Sequence, residues 1–177
     1  MTATYAPIER WSVPRSVVPA TLRGVLRAAR VQHEGGALWL GRRAATTEIR
    51  TVVLLEGRGV IEEIGYWEVS ARVYGRVGTW ADENEQALLA VAHSHLARGA
   101  TAMSSLDRRG AVRVPDLLTI VIPAFGAITD LRKWGVHHYD GRQFVELAEL
   151  EKATRLLASD DAVIVLRANE DGVVVQP

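Results

Sequence analysis

The sequence predicts an α/β fold of the α+β kind: a mixed, largely antiparallel β-sheet flanked by helices, in a single domain. Three observations lead there. An amphipathic helical stripe lies near the start, several apolar runs of strand length follow it, and helical stretches fall between those runs. A chain of 177 residues suits one domain over 1–177, and a hydrophobic share of 48% is enough to bury a core and argues against disorder.

Residues 1–16 carry Pro7 and Pro14 and read as an extended N-terminal arm. Val18, Leu22, Val25, Leu26 and Ala29 then recur at helical spacing, and Gly35 and Gly36 follow where a left-handed cap is expected. "ALWLG" (37–41) and "TEIRTVVLLEG" (47–57) read as two strands about a turn at 43–46. The stretch 66–85 is ambiguous. "YWEVSARVYG" has helical spacing, Gly75 and Gly78 interrupt it, and "WADENEQ" reads as a solvated loop or a helix start.

"ALLAVAHSH" (87–95) is an apolar run that reads as a buried strand, and "LLTIVIPAF" (117–125) is a second one stopped by Pro123. "WGVHHYDG" and "RQFVEL" form a hairpin through Asp140 and Gly141, and "AELEKATRLLAS" is a short helix. "AVIVL" and "GVVV" make a C-terminal strand pair within 160–177. There is no internal repeat, low-complexity tract or linker.

Composition narrows the function classes. Lysine plus arginine equals aspartate plus glutamate at 21 each, with no long run of one sign, so no nucleic-acid or membrane partner held by bulk charge is expected. With no cysteine, any metal must be held by nitrogen and oxygen. The first twenty residues place charges and prolines where a signal peptide needs an apolar core, and no stretch nears the ~18 apolar residues of a membrane span. A cytoplasmic location is expected.

"AHSHLARGATAMSSLDRRG" (92–110) concentrates the chemistry. In a strand, His93 and His95 share one face, and Asp107 can return from the next segment as a third ligand. Two histidines, a carboxylate and a free fourth position suit a catalytic zinc. A chance His-x-His followed by a plain Ser104-x-x-Asp107 helix cap explains the same letters. Glu34, where the first helix ends, is either an exposed glutamate before a glycine cap or a general base beside the metal. His33 reads as incidental. His137 and His138 face opposite ways in a strand and cannot chelate together. Trp11, Trp39, Trp67, Trp80 and Trp134 read as core or surface anchors.

Together, "EGGALWLG" and "HSHLARGATAMSSLD" resemble the signature of the JAMM (MPN+/JAB) zinc metalloproteases, in their bacterial stand-alone form. That pattern is an upstream glutamate, then His-[Ser/Thr]-His, a spacer and Ser-x-x-Asp, and the likeness covers about residues 17 to 150. "LLTIVIPAFG" is similar to the strand that follows the motif in bacterial members. The resemblance implies an MPN/JAB-like, deaminase-like domain holding one Zn2+ per chain on His93, His95 and Asp107. Glu34 matches the catalytic glutamate, and Ser104 matches the serine that helps hold the reacting oxygen. Leu96 stands where the family usually has proline, Ala37 replaces a frequent glycine, and the spacer 96–103 holds eight residues where seven is usual.

The implied activity is hydrolysis of the amide bond after the C-terminus of a ubiquitin-like protein, by deconjugation or precursor processing. An antiviral conjugation operon with its own activating and conjugating enzymes is one implied setting. Trimming of a sulfur-carrier ubiquitin-fold protein in cysteine or cofactor biosynthesis is another, and a metal-free scaffold of the same fold is a third. The stretch 56–80 is the first candidate for a sheet edge that holds the substrate tail.

Overall fold

The computed structural model describes residues 7–176. Its helix α1 (Val17–Ala29) follows the apolar stripe and buries Val17, Leu22, Val25 and Ala28 against the sheet. Strands β1 (Arg10–Pro14), β2 (Gly36–Arg42) and β3 (Thr46–Leu55) precede a two-stranded hairpin of β4 (Val60–Glu63) and β5 (Tyr66–Val69). Helix α2 (Ala71–Glu83) leads into β6 (Ala87–Ser94), and the short helix α3 (Ser105–Gly110) leads towards β7 (Leu118–Ile122). Then come β8 (Gly135–Tyr139), β9 (Phe144–Glu146), α4 (Glu149–Arg155), β10 (Leu156–Ser159), β11 (Ile164–Asn169) and β12 (Gly172–Val175).

The main sheet runs β10-β1-β3-β2-β6-β7-β8-β9, with β11 joining β3 and β12 joining β11. Pairing is antiparallel for β2 with β3 and β6, β7 with β8, β8 with β9, and β11 with β12. It is parallel for β1 with β3 and β10, β11 with β3, and β6 with β7. This is the mixed sheet expected from helices interleaved with strands.

Two apolar layers cover it. On the α1 side, Trp11, Trp39, Leu89, Ile120, Ile122 and Trp134 are fully buried, and the Trp39 indole donates to the Thr21 hydroxyl at 2.8 Å. On the α2 side, Leu38, Leu40, Val53 and Leu55 pack with Val73, Val77 and Ala81. Because both faces are covered, β2 reads as a continuous apolar run instead of an alternation.

The structure differs from the sequence reading at five places. Within the expected arm, residues 1–6 lie outside the described residues, and Arg10–Pro14 form an inner strand with Trp11 fully buried. Helix α2 runs straight through Gly75 and Gly78. A Cβ at either would meet nothing within 4 Å, so these glycines lie on an open face and interrupt no packing. The residues before α2 are strand, not helix.

Leu156–Ser159 leave the expected helix after Arg155, because pairing with Trp11–Pro14 offers them a full ladder. Finally, α1 ends at Arg30 in right-handed conformation, and the left-handed residue after it is Gln32 at φ 60°. Gly36 instead opens β2, where a Cβ would fall 2.4 Å from the Ala92 carbonyl oxygen and 2.6 Å from the Trp67 ring. It is required for close approach.

Candidate metal centre

Strand β6 carries His93 to the edge of the buried region, and His95 follows one residue past its end, fixed by its N–H donating to the Ile122 carbonyl at 2.9 Å. Asp107 sits in the first turn of α3. The eight-residue spacer 96–103 is absorbed by an irregular, mostly exposed loop in which Leu96 faces solvent. Asp107 still reaches both histidines.

The three side chains converge on one point. His93 Nε2 lies 3.2 Å from His95 Nε2, Asp107 Oδ1 lies 3.2 Å from His93 Nε2, and Asp107 Oδ2 lies 3.2 Å from His95 Nε2. Metal–ligand bonds of about 2.0–2.1 Å in a tetrahedral zinc site put neighbouring ligand atoms roughly 3.3–3.4 Å apart. Asp107 turns a different oxygen to each histidine, and one ligand atom from each of the three residues lies within 4.8 Å of the others, so the side chains are placed to hold one small ion jointly, with nitrogen and oxygen donors suited to zinc.

Electrostatics bind the cluster as well. Burial works to raise the Asp107 carboxyl, but hydrogen bonds from His93 and His95 outweigh it and hold the group well below the usual carboxylate range. Burial works to lower His95, and the hydrogen bond and charge of Asp107 reverse that, so its net shift is upward. Asp107 is also one half of a capping box. Its N–H donates to Ser104 Oγ at 3.1 Å, and the Ser104 N–H donates to Asp107 Oδ2 at 2.6 Å.

Glu34 is only 6% exposed, so it is not an exposed glutamate before a glycine cap. Its backbone is fixed from two sides. The Glu34 N–H donates to the Glu63 carbonyl at 3.0 Å. The next residue is tied to Ser94, between the two histidines. The Gly35 N–H donates to Ser94 Oγ at 3.0 Å, and the Ser94 N–H donates to the Gly35 carbonyl at 2.9 Å. Burial raises the Glu34 carboxyl; His95 and His93 pull it down by less, and Asp107 adds to the rise. A carboxylate shifted upward beside two imidazoles is suited to taking and releasing a proton.

The cluster opens on a cleft of about 380 Å³ whose walls include Trp67, Val69, Tyr74, Val91 and Thr119 beside Glu34 and His93. Trp67, read from the sequence only as a core or surface anchor, belongs to the site. Its indole stacks on the His93 ring at an interplanar angle of 4° with centroids 5.9 Å apart. The available signal was the alternation in "VIEEIGYWEV" about Ile64 and Gly65, a two-residue hairpin turn that brings the indole round. His137 and His138 stay apart from the centre; His137 Nε2 pairs with the Thr101 carbonyl at 2.9 Å.

No family model matches the chain, and no curated protein matches it. Among solved structures, it overlays a JAB1/MPN domain protein from Archaeoglobus fulgidus at 15% identity, covering 85% of this chain and 98% of that one, with a TM-score of 0.42. An overlay that loose is a likeness of outline and bears on neither site nor activity. Among the described residues, no helix is long and apolar enough to cross a membrane.

Proposed function

We propose that the chain is a JAMM-type zinc hydrolase that cleaves the amide bond after the C-terminus of a ubiquitin-like protein. The observation that carries this reading is the meeting of His93, His95 and Asp107 within hydrogen-bonding distance of one another, with Glu34 buried beside them. Five residues dispersed over 34–107 resemble the family motif in order, and four of them share one electrostatic neighbourhood. The geometry of the cluster therefore supports the metal-hydrolase part of the reading, while the substrate class rests on the resemblance.

His93, His95 and Asp107 would hold the ion, which when bound supplies a Lewis acid and a water of lowered pKa. Glu34 takes a proton from the attacking water and returns it to the leaving nitrogen, first base and then acid. Ser104 Oγ already accepts from the Asp107 N–H, which leaves its own hydroxyl proton free to donate to the carbonyl oxygen as negative charge develops there.

The candidate edge within 56–80 takes a definite form. Among the described residues β5 pairs only with β4, and Tyr66, Trp67, Glu68 and Val69 line the cleft. An extended substrate tail adding to β5 would run beside Glu34 and His93, with backbone hydrogen bonds supplying affinity. A cytoplasmic conjugation system with its own activating and conjugating enzymes is the setting we propose.

The test is incubation with fusions of candidate ubiquitin-like proteins to a reporter, with and without a zinc chelator. Chelator-sensitive release of the reporter is the expected result. Failure of every fusion by a zinc-loaded protein would reject the substrate class, and release insensitive to chelation would reject the metal mechanism. A sulfur-carrier precursor cleaved in preference to a lysine-linked conjugate would assign the enzyme to precursor trimming.

A further inference from the structure

Histidines that hold a metal are ordinarily oriented by a hydrogen bond from the second ring nitrogen to a carboxylate or carbonyl. Among the described residues, no carboxylate or carbonyl plays that part for His93. All of its side-chain hydrogen bonds and ion pairs to described residues are made by Nε2, the atom that faces His95 and Asp107. The contact on the flat of its ring is the Trp67 indole, parallel to within 4°. Against His95 the ring is tilted by 60°, so that neighbour shares the focus without fixing the plane.

Trp67 is itself held in place. Its benzene edge lies over Gly36, where a Cβ would stand 2.6 and 2.8 Å from two ring carbons, so only glycine leaves the seat open. The hairpin that carries it is pinned to the body at two points. Arg27 on α1 donates to Glu62, and the Glu34 N–H donates to the Glu63 carbonyl. The indole N–H is buried and has no acceptor among the described residues, so no hydrogen bond of its own accounts for where the ring lies. Packing on His93, Gly36 and the apolar layer under α2 does.

We propose that Trp67 is a positioning residue for His93: stacking in the seat left by Gly36, it fixes the imidazole plane so that Nε2 stays aimed at the point shared with His95 and Asp107. An aromatic face here does the work that a hydrogen bond to Nδ1 does elsewhere. This inference rests on the reading of the three residues as a metal centre. It does not depend on any substrate.

The experiment uses the metal alone. Zinc affinity of the full chain is measured by competition with a chromophoric chelator, and the visible bands of the cobalt-substituted protein are recorded, for wild type, Trp67→Ala, Trp67→Leu and Trp67→Phe. Outer-shell partners of metal ligands typically contribute about 10–100-fold in affinity. Trp67→Ala and Trp67→Leu are expected to weaken zinc binding by roughly 10-fold and to alter the cobalt bands, with Trp67→Phe restoring both. Far-UV circular dichroism and melting of the metal-free proteins identify any variant that is not folded, and the flat Phe substitution keeps the comparison open if Ala is not. Wild-type affinity and unchanged cobalt bands in Trp67→Leu would overturn the inference. A Trp67→Phe protein as weak as Trp67→Leu would also overturn it, since bulk or the indole nitrogen would then be the cause. If wild type takes up neither metal, the reading of the centre itself fails, and that outcome is distinct from the other two.

Discussion

Ser104 and Asp107 hold each other in place, each backbone N–H donating to the other's side chain, at 2.6 and 3.1 Å. Ser104 is therefore both a helix cap and a support for a candidate metal ligand. Ser104→Ala should cost about 1 kcal/mol of stability as a lost cap. If the hydroxyl also meets the developing oxyanion, kcat should fall by roughly 10²-fold or more with KM little changed. Ser105 is the control, because it is exposed and occupies the first position of α3. Urea melts and steady-state kinetics of both variants decide it. Loss of activity in Ser105→Ala with Ser104→Ala intact would show that the long spacer has shifted the register.

Glu34→Gln separates proton transfer from metal binding. The amide keeps the shape of the side chain, so zinc content should stay near one per chain while turnover falls by about 10²–10⁴-fold. Metal analysis beside a reporter assay gives both numbers from one preparation. Full turnover in this variant would remove Glu34 from the mechanism.

His95 contributes to the pH dependence with a definite sign. Its folded-state value lies above the ordinary one, because Asp107 outweighs the effect of burial. A group raised on folding contributes stability below its unfolded pKa and loses it as pH rises through the folded value. Burial pushes His138 the other way, so the His95 effect is read against His95→Gln: between about pH 6 and about pH 8 the metal-free wild type should lose melting temperature relative to that variant. Zinc requires neutral imidazoles and competes with that proton, so its affinity should move the other way and tighten with pH. Thermal melts with chelator and with excess zinc should diverge as pH rises. Parallel curves would mean that His95 does not bind the ion.

Gly36 predicts a packing effect at the centre. A methyl group there meets the Ala92 carbonyl and the Trp67 ring well inside van der Waals contact. Gly36→Ala should destabilise by about 1–3 kcal/mol, the usual range for overpacking. Combined with Trp67→Ala, it should cost less than the two single effects added, because the indole half of the clash is gone. Denaturant unfolding of the four proteins measures the difference.

Much of the candidate site's geometry was legible because it is local. His93 and His95 lie two apart at the end of an apolar run, and Ser104 and Asp107 have helix-cap spacing, so period and capping rules place them. Glu34 was legible only through its resemblance to a motif; nothing in "HEGGALWLG" shows that a hairpin thirty residues on will bury it. The strand at Leu156–Ser159 was hidden for a related reason. Its letters continue a helix well, and only β1, near the other end of the chain, makes strand the better state. Local propensity is a weak prior against such a partner. Trp67 was missed because stacking on His93 is a contact across two sheets, which no periodicity records.

That β1 lies between β3 and β10 has a consequence for how the molecule comes into being. Trp11 is opposite Leu156 in the ladder, so seating β1 against β10 closes a loop of nearly the whole described chain. Loop-closure entropy of that kind slows folding, and such pairing cannot form while the later strand is still being synthesised. A nascent chain can assemble β2, β3 and β6, and with them Glu34, His93 and His95. The upper part of β3, Thr51–Leu55, then waits with one edge bare until β11 is made. Bare edges of apolar strands recruit other chains. The candidate centre can thus be drawn together before β11 is made, while protection of that edge of the sheet from self-association arrives after it.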